Sequence, residues 1–289
     1  MMKILCASTT IRWLLSVTAA LLLVANSSGL ADGVPGYKLP QFRKVQVATK
    51  MPVFPEGTSI HLLADADFPP YSFRARSGAP AGLAVDLGMA ACADIKITCD
   101  VVLKPLGELL PALASHQGDV VVSGPRIDEK ALEQAVLTRA WFRSFGRFAA
   151  QSGNPLTASD ARGLAGKRIG AVEGTAHAAW ISTYYAEAEL LTFATSDAAQ
   201  EALRTGAVDT IFDDNLRMIY WIAGANSRNC CKLLGGAYMD FESFSRNAAF
   251  LIRSDRVELR DAFDVALDRL QTNGTTEKLF NVYVPLNPW

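Results

Sequence analysis

The sequence predicts an α/β fold in two lobes, and three observations carry that reading. Strand-like and helix-like segments alternate along most of the chain, the pattern of parallel sheets with covered faces. The alternation runs in two successive series, the first reaching residue 123 and the second starting near residue 144. The chain has 289 residues, and setting aside an N-terminal leader of 31 leaves 258. That suits two cores at roughly 100–200 residues per domain.

The leader comes first. Lys3 and Arg12 form a positive region, followed by an almost wholly apolar run of 13 residues at 13–25. Asn26, Ser27, Ser28 and Gly29 then turn small and polar, and Gly29 and Ala31 suit the positions before a signal-peptidase cut after Ala31. Residues 1–31 are expected to be a secretory signal peptide, because the apolar run is shorter than the roughly 20 residues of a spanning helix. The cut region holds no cysteine, so no lipid anchor is expected. Residues 32–57 contain Pro35, Pro40, Pro52 and Pro55, which oppose regular helix, and read as an N-terminal arm.

In the first series, SIHLLA (residues 59–64) reads as a buried strand, VDLGMAACA (85–93) as a helix and KITCDVVL (96–103) as a strand. Leu106, Leu109, Leu110 and Leu113 have helical spacing, and DVVVS (119–123) is a strand again. The second series gives a strand at KRIGAV (167–172), a helix over 175–185, a strand near 190–193, a helix over 197–203 and a strand at VDTIF (208–212). Leu259, Ala262, Phe263, Ala266, Leu267 and Leu270 mark one helix face, with Gly274 placed to stop that helix.

Composition narrows the function classes. Half the residues are apolar and a fifth charged, as in ordinary globular proteins. The leader removes two of 28 basic residues and none of 29 acidic ones, leaving a net charge of −3. No basic block points to nucleic acid, and no second stretch could span a membrane. Export implies an oxidising compartment, where Cys92, Cys99, Cys230 and Cys231 remain. There is no CxxC pair, and the three histidines lie far apart, so neither a metal site nor a cofactor is expected.

At DADFPPYSF (residues 65–73) the chain begins to resemble the family 3 extracellular solute-binding proteins of ABC importers. The nearest likeness is to the lysine/arginine/ornithine and histidine binding proteins. GLAVDL (82–87) is similar to that family's helix start, and Cys92 and Cys99 have the spacing of that subgroup's disulfide. PLGELLPALASHQGDVVVSG (105–124), LAGKRIGAVEGT (164–175) and the helix near the C-terminus continue the likeness in order. It implies a type II periplasmic binding protein fold, with a ligand cleft between the lobes. The first lobe would comprise residues 58–143 and 238–289 and the second 144–237, with two crossover strands as the hinge. It implies a bond between Cys92 and Cys99. For the adjacent Cys230 and Cys231, a vicinal disulfide and two buried thiols both fit.

The same resemblance assigns site residues. Phe68 stands where the family stacks an aromatic ring on the ligand, a flat contact suited to guanidinium or ammonium. Tyr71 flanks the same Pro69–Pro70 turn; for both rings core packing is the alternative. Ser123 and Gly124 close a strand at the cleft edge, where the family offers a hydroxyl and backbone groups. Thr175 starts a helix, either as a ligand contact or as a cap alone. Asp214, five residues after Asp209, stands at the family's ammonium-binding carboxylate, with Asp213 read as solvated or a cap. One departure stands out. The amino-acid binders carry a T-x-x-R motif whose arginine clamps the α-carboxylate, and here those positions hold Asp128 and Ala131. Each lost bond to a charged group is worth roughly 1.5–3 kcal/mol. Arg126 either replaces the clamp or pairs at the surface with Asp128 or Glu129, and Asp128 also suits the cap of a following helix.

The function implied is a monomeric periplasmic protein that does no chemistry. It would deliver a small polar, nitrogen-containing solute to an ABC permease and meet the membrane only through that partner. A second reading rests on TRAWFRS (138–144), which resembles binding-protein-like components of periplasmic quinoprotein alcohol dehydrogenase systems, and makes the chain an accessory or sensor. A third is an enzyme similar to the cyclohexadienyl dehydratases, with Glu173 and His177 as acid–base groups. Ala131 removes the carboxylate anchor such an enzyme needs.

Overall fold

The computed structural model describes residues 51–123, 127–143, 145–240, 243–244 and 248–284. The expected signal peptide, most of the arm, Gly124 and Arg126 lie outside the described residues. The chain opens with β1 (Ser59–Asp65), β2 (Asp67–Phe68), β3 (Ser72–Arg74), β4 (Pro80–Ala81), α1 (Leu83–Ile95) and β5 (Thr98–Lys104). α2 (Leu109–Ala114), β6 (Val120–Ser123), α3 (Glu129–Gln134) and β7 (Ala135–Leu137) follow. Next come β8 (Gly146–Gln151), β9 (Arg168–Val172), α4 (Ala176–Tyr184), β10 (Glu189–Phe193), α5 (Ser196–Thr205), β11 (Thr210–Asp214), α6 (Asn215–Ala223) and β12 (Cys231–Tyr238). The described chain ends with β13 (Leu251–Arg253), α7 (Val257–Thr272) and α8 (Thr275–Tyr283).

Two five-stranded sheets share one design. The first has the order β5-β1-β6-β13-β7 and the second β10-β9-β11-β8-β12. In each, the first three strands of the order run parallel and the fourth is antiparallel to both of its neighbours. The earliest parallel strand of each sheet, β1 or β9, is flanked by the next two parallel strands, so the connection goes first to one side and then to the other. Such reversals open a crevice at the carboxyl ends of the strands. A small antiparallel sheet, β2-β3-β4, stands beside the end of β1.

Periodicity explains why β1 reads as one apolar run. Ile60, Leu62 and Ala64 face a cluster containing Leu83, Leu87, Phe263 and Ala266, while Leu63 faces Leu109, Leu113 and Val121. Both faces of the strand are covered, so both positions of its period of two are apolar. The side-chain-free Gly88 lets α1 lie close: a Cβ there would sit 3.0 Å from Val122 and 3.2 Å from Leu62. Cys92 and Cys99 are bonded, tying α1 to β5, and Cys230 and Cys231 are bonded to each other. Met51 and Phe54, the described end of the arm, pack on the first core.

The chain crosses between the sheets after β7 and returns before β13. The two crossings pair with each other: the Thr138 and Trp141 amides donate to Phe250 and Ala248 carbonyls, at 3.0 Å each. Arg139 is anchored to Asp268 at 2.6 Å. The TRAWFRS residues Thr138, Arg139 and Trp141 are thus employed in the first of these crossings.

Some elements differ from expectation. The leucines over 106–113 form a 3-10 turn, Leu106–Glu108, before the short α2, because their run is only two turns long. β11 ends at Asp214, two residues beyond the expected strand. Gly274, with φ of 80°, separates α7 from the unexpected α8.

Candidate cleft between the two sheets

A cavity of about 240 Å³ lies where the carboxyl ends of β1, β6, β9 and β11 converge. Asp65, Ser123, Val172 and Asp214 are the last residues of those strands, and all four line it. β2, the β2–β3 turn and the first crossing add Asp67, Phe68, Tyr71 and Trp141. Facing them are Thr175, His177, Thr195 and Arg217, from the first turns of α4 and α6 and the start of α5. Of the expected site residues, Phe68, Tyr71, Ser123, Thr175 and Asp214 therefore meet in one cavity.

Each is held by a definite contact. Asp214 is buried and caps α6: its Oδ1 accepts from the Leu216 and Arg217 amides at 2.8 and 3.1 Å. The Tyr71 hydroxyl donates to its Oδ2 at 3.2 Å, across the cleft. Burial pushes the Asp214 carboxyl up to about 7, against the pull of these donors. Thr175 caps α4 by accepting from the Ala178 amide at 3.2 Å, and its hydroxyl donates to Val172 at 2.7 Å. With its hydrogen committed, Thr175 can meet a solute as an acceptor. The Ser123 hydroxyl is bonded to that of Ser72. Phe68 stacks on Tyr71, with ring centres 4.9 Å apart.

Several lining residues carry charge that motif reading left unassigned. Asp65 accepts from the Asp67 amide at 3.0 Å, and Asp67 accepts from the Ser196 amide at 3.1 Å, again across the cleft. Burial raises both carboxyls above their usual range, partly offset by Arg217 nearby. His177 stacks on Phe244 at 5.0 Å, and burial lowers its pKa to about 4, so it is neutral at neutral pH. Asp213, expected to be solvated or a cap, is instead buried within β11 and paired. It lies 3.5 Å from Arg217 Nε and 3.7 Å from His177 Nδ1, because β11 is covered on both faces and the capping falls to Asp214. Asp128 caps α3 through the Ala131 amide at 3.1 Å. Ala131 is fully buried among Leu63, Leu109 and Val121, outside the cavity lining. Glu173 is exposed and also outside that lining.

Residues 60–285 match the bacterial extracellular solute-binding proteins, family 3. The chain belongs to that family. Among its relatives, the L-arginine-binding protein of Pseudomonas aeruginosa is 24% identical over 81% of this chain and 90% of its own length. The histidine-binding periplasmic protein of Salmonella typhimurium is 25% identical over 78% of this chain and 86% of its own. The structure of an ancestral arginine-binding protein bound to glutamine superposes with a TM-score of 0.70 at 21% identity. It covers 79% of this chain and 98% of the other. As a family 3 protein, the chain has the two-lobed α/β fold and binds a solute. The crevice at the strand ends is the place such a fold offers for it.

Proposed function

We propose that the protein is a periplasmic binding protein, without catalytic activity, that holds a small solute bearing a positive nitrogen in this cavity and passes it to an ABC importer. The charge balance of the lining carries the reading. Asp65, Asp67 and Asp214 face one guanidinium, that of Arg217, while His177 is neutral. Asp214 is the carboxylate for the nitrogen, with Ser123 and Thr175 as hydroxyl partners and Tyr71 fixing the carboxylate from the other sheet. Phe68 supplies an aromatic wall. The relatives are named for arginine and histidine, which supports a solute among amino-acid-like or amine compounds. The volume, below the roughly 300 Å³ where drug-sized pockets begin, favours a compact one.

A thermal-shift screen of amino acids, amines, betaines and small carboxylates tests this, since a native-state ligand raises apparent stability by mass action. Amines or amino acids should shift the transition, and a response to carboxylates alone would refute the charge reading.

A further inference from the structure

Arg217 enters the reading above only as a counter-charge, with no part in holding the solute. It is 2% exposed and enters the cavity from the first turn of α6, beside the second sheet. Its Nη2 donates to the Asp67 carbonyl and lies 3.6 Å from the Asp67 carboxylate. Its Nε lies 3.5 Å from Asp213, and its central carbon stands 5.0 Å from the centre of the Phe68 ring. An aromatic ring, a carbonyl and two carboxylates form a recognition set for a guanidinium. Asp67 and Phe68 belong to β2, by the first sheet, so the chain fills a cross-cleft cation subsite with its own side chain.

We propose that Arg217 is a tethered occupant of this subsite and thereby determines specificity. It restricts the solute to one whose single positive nitrogen meets Asp214, with no second cation reaching Phe68. Arginine, ornithine and diamines are excluded because their distal charge would meet Arg217. The inference rests on the cavity being the solute site.

The test is chemical complementation, read by calorimetric titration. Arg217→Ala vacates the subsite and should bind ethylguanidinium at least tenfold more tightly than the wild type does. Neutral ethylurea should bind neither protein. L-Arginine should likewise gain at least tenfold in the variant. Because the substitution leaves Asp213 buried without its cation, Arg217→Ala combined with Asp213→Asn is prepared alongside. It keeps Phe68 and Asp67 but loses one carboxylate of the subsite, so gains in the same direction and smaller than those of the single variant are expected. A folded variant that gains nothing for ethylguanidinium overturns the proposal. The wild type supplies an independent check: pentylamine should bind more tightly than 1,5-diaminopentane, and the reverse order overturns the proposal without any mutation. The failure of the solute-site reading looks different. In that case neither amine binds the wild type competitively with any hit of the screen, while ethylguanidinium still fills the vacated subsite.

Discussion

Asp214 ends a strand, caps a helix and faces the cavity, and these duties set its titration. Burial lifts its carboxyl from 3.8 to about 7, so between those values the folded protein holds a proton that the unfolded chain has lost. Stability contributed by this group therefore falls as pH rises from about 4 to about 7. Asp214→Asn keeps an acceptor for the α6 amides and removes that loss. Thermal unfolding should show the variant at least as stable as wild type at about pH 8, the two converging near pH 4. Binding runs the other way. A cationic solute needs the carboxylate, so affinity should weaken about 100-fold from pH 8 to pH 5, two units below the carboxyl's pKa, and titrations at both values would show it. At about pH 8, Asp214→Asn should cost at least tenfold in affinity, or about 1.4 kcal/mol. Asp214, Thr175, Ser123, Phe68 and Tyr71 were legible because each stands within a family-like motif. Asp67 and Arg217 were not, and His177 was legible only as an acid–base group of the enzyme alternative. Asp67 stands inside the same motif as Phe68 but carries no assigned role there, while Arg217 lies in a segment that no motif covers, and only the meeting of the two sheets brings it to Phe68.

At the scale of elements, the start of α1 shows how local sequence positions the site. The Leu83 and Ala84 amides donate to the Pro70 and Tyr71 carbonyls, at 2.8 and 2.9 Å, so the backbone beside the cavity caps the helix without any side chain. Gly82 permits this: its φ is 131°, and a Cβ there would fall 2.3 Å from the Tyr71 carbonyl oxygen. Gly82→Ala should destabilise by about 3 kcal/mol in denaturant titration and weaken binding by displacing Tyr71 from Asp214. The Cys92–Cys99 bond holds the far end of the same helix. Non-reducing peptide mapping should find the two joined, and the double serine variant should lose roughly 2–3 kcal/mol. Strands β1, β6 and β9 were legible from their apolar runs. α6, NLRMIYWIA, was not: Leu216, Met218, Ile219, Trp221 and even Arg217 are buried, so it lacks the polar face that gives a helix its period. β7 and β13, three residues each, are too short to show any period.

Across the whole molecule, three hydrogen bonds among the described residues bridge the cleft: Tyr71 to Asp214, the Ser196 amide to Asp67, and Arg217 to Asp67. Two of the three end on Asp67, so this residue weighs most in the balance between closed and open arrangements of the hinge. Removing its carboxylate frees the Ser196 amide and leaves Arg217 the carbonyl of residue 67 and the Phe68 ring across the cleft. A bond to a charged group is worth roughly 1.5–3 kcal/mol, enough to shift a two-state balance by tenfold or more. Asp67→Ala should therefore open the solute-free protein, read as a larger radius of gyration in small-angle scattering. Saturating solute should restore the smaller value, because Asp214 and Tyr71 are untouched and still join the sheets around it. Affinity should fall, since the solute must now supply the closure that Asp67 gave. An unchanged radius in the solute-free variant would mean that the crossings paired through Thr138 and Phe250 hold the lobes closed by themselves.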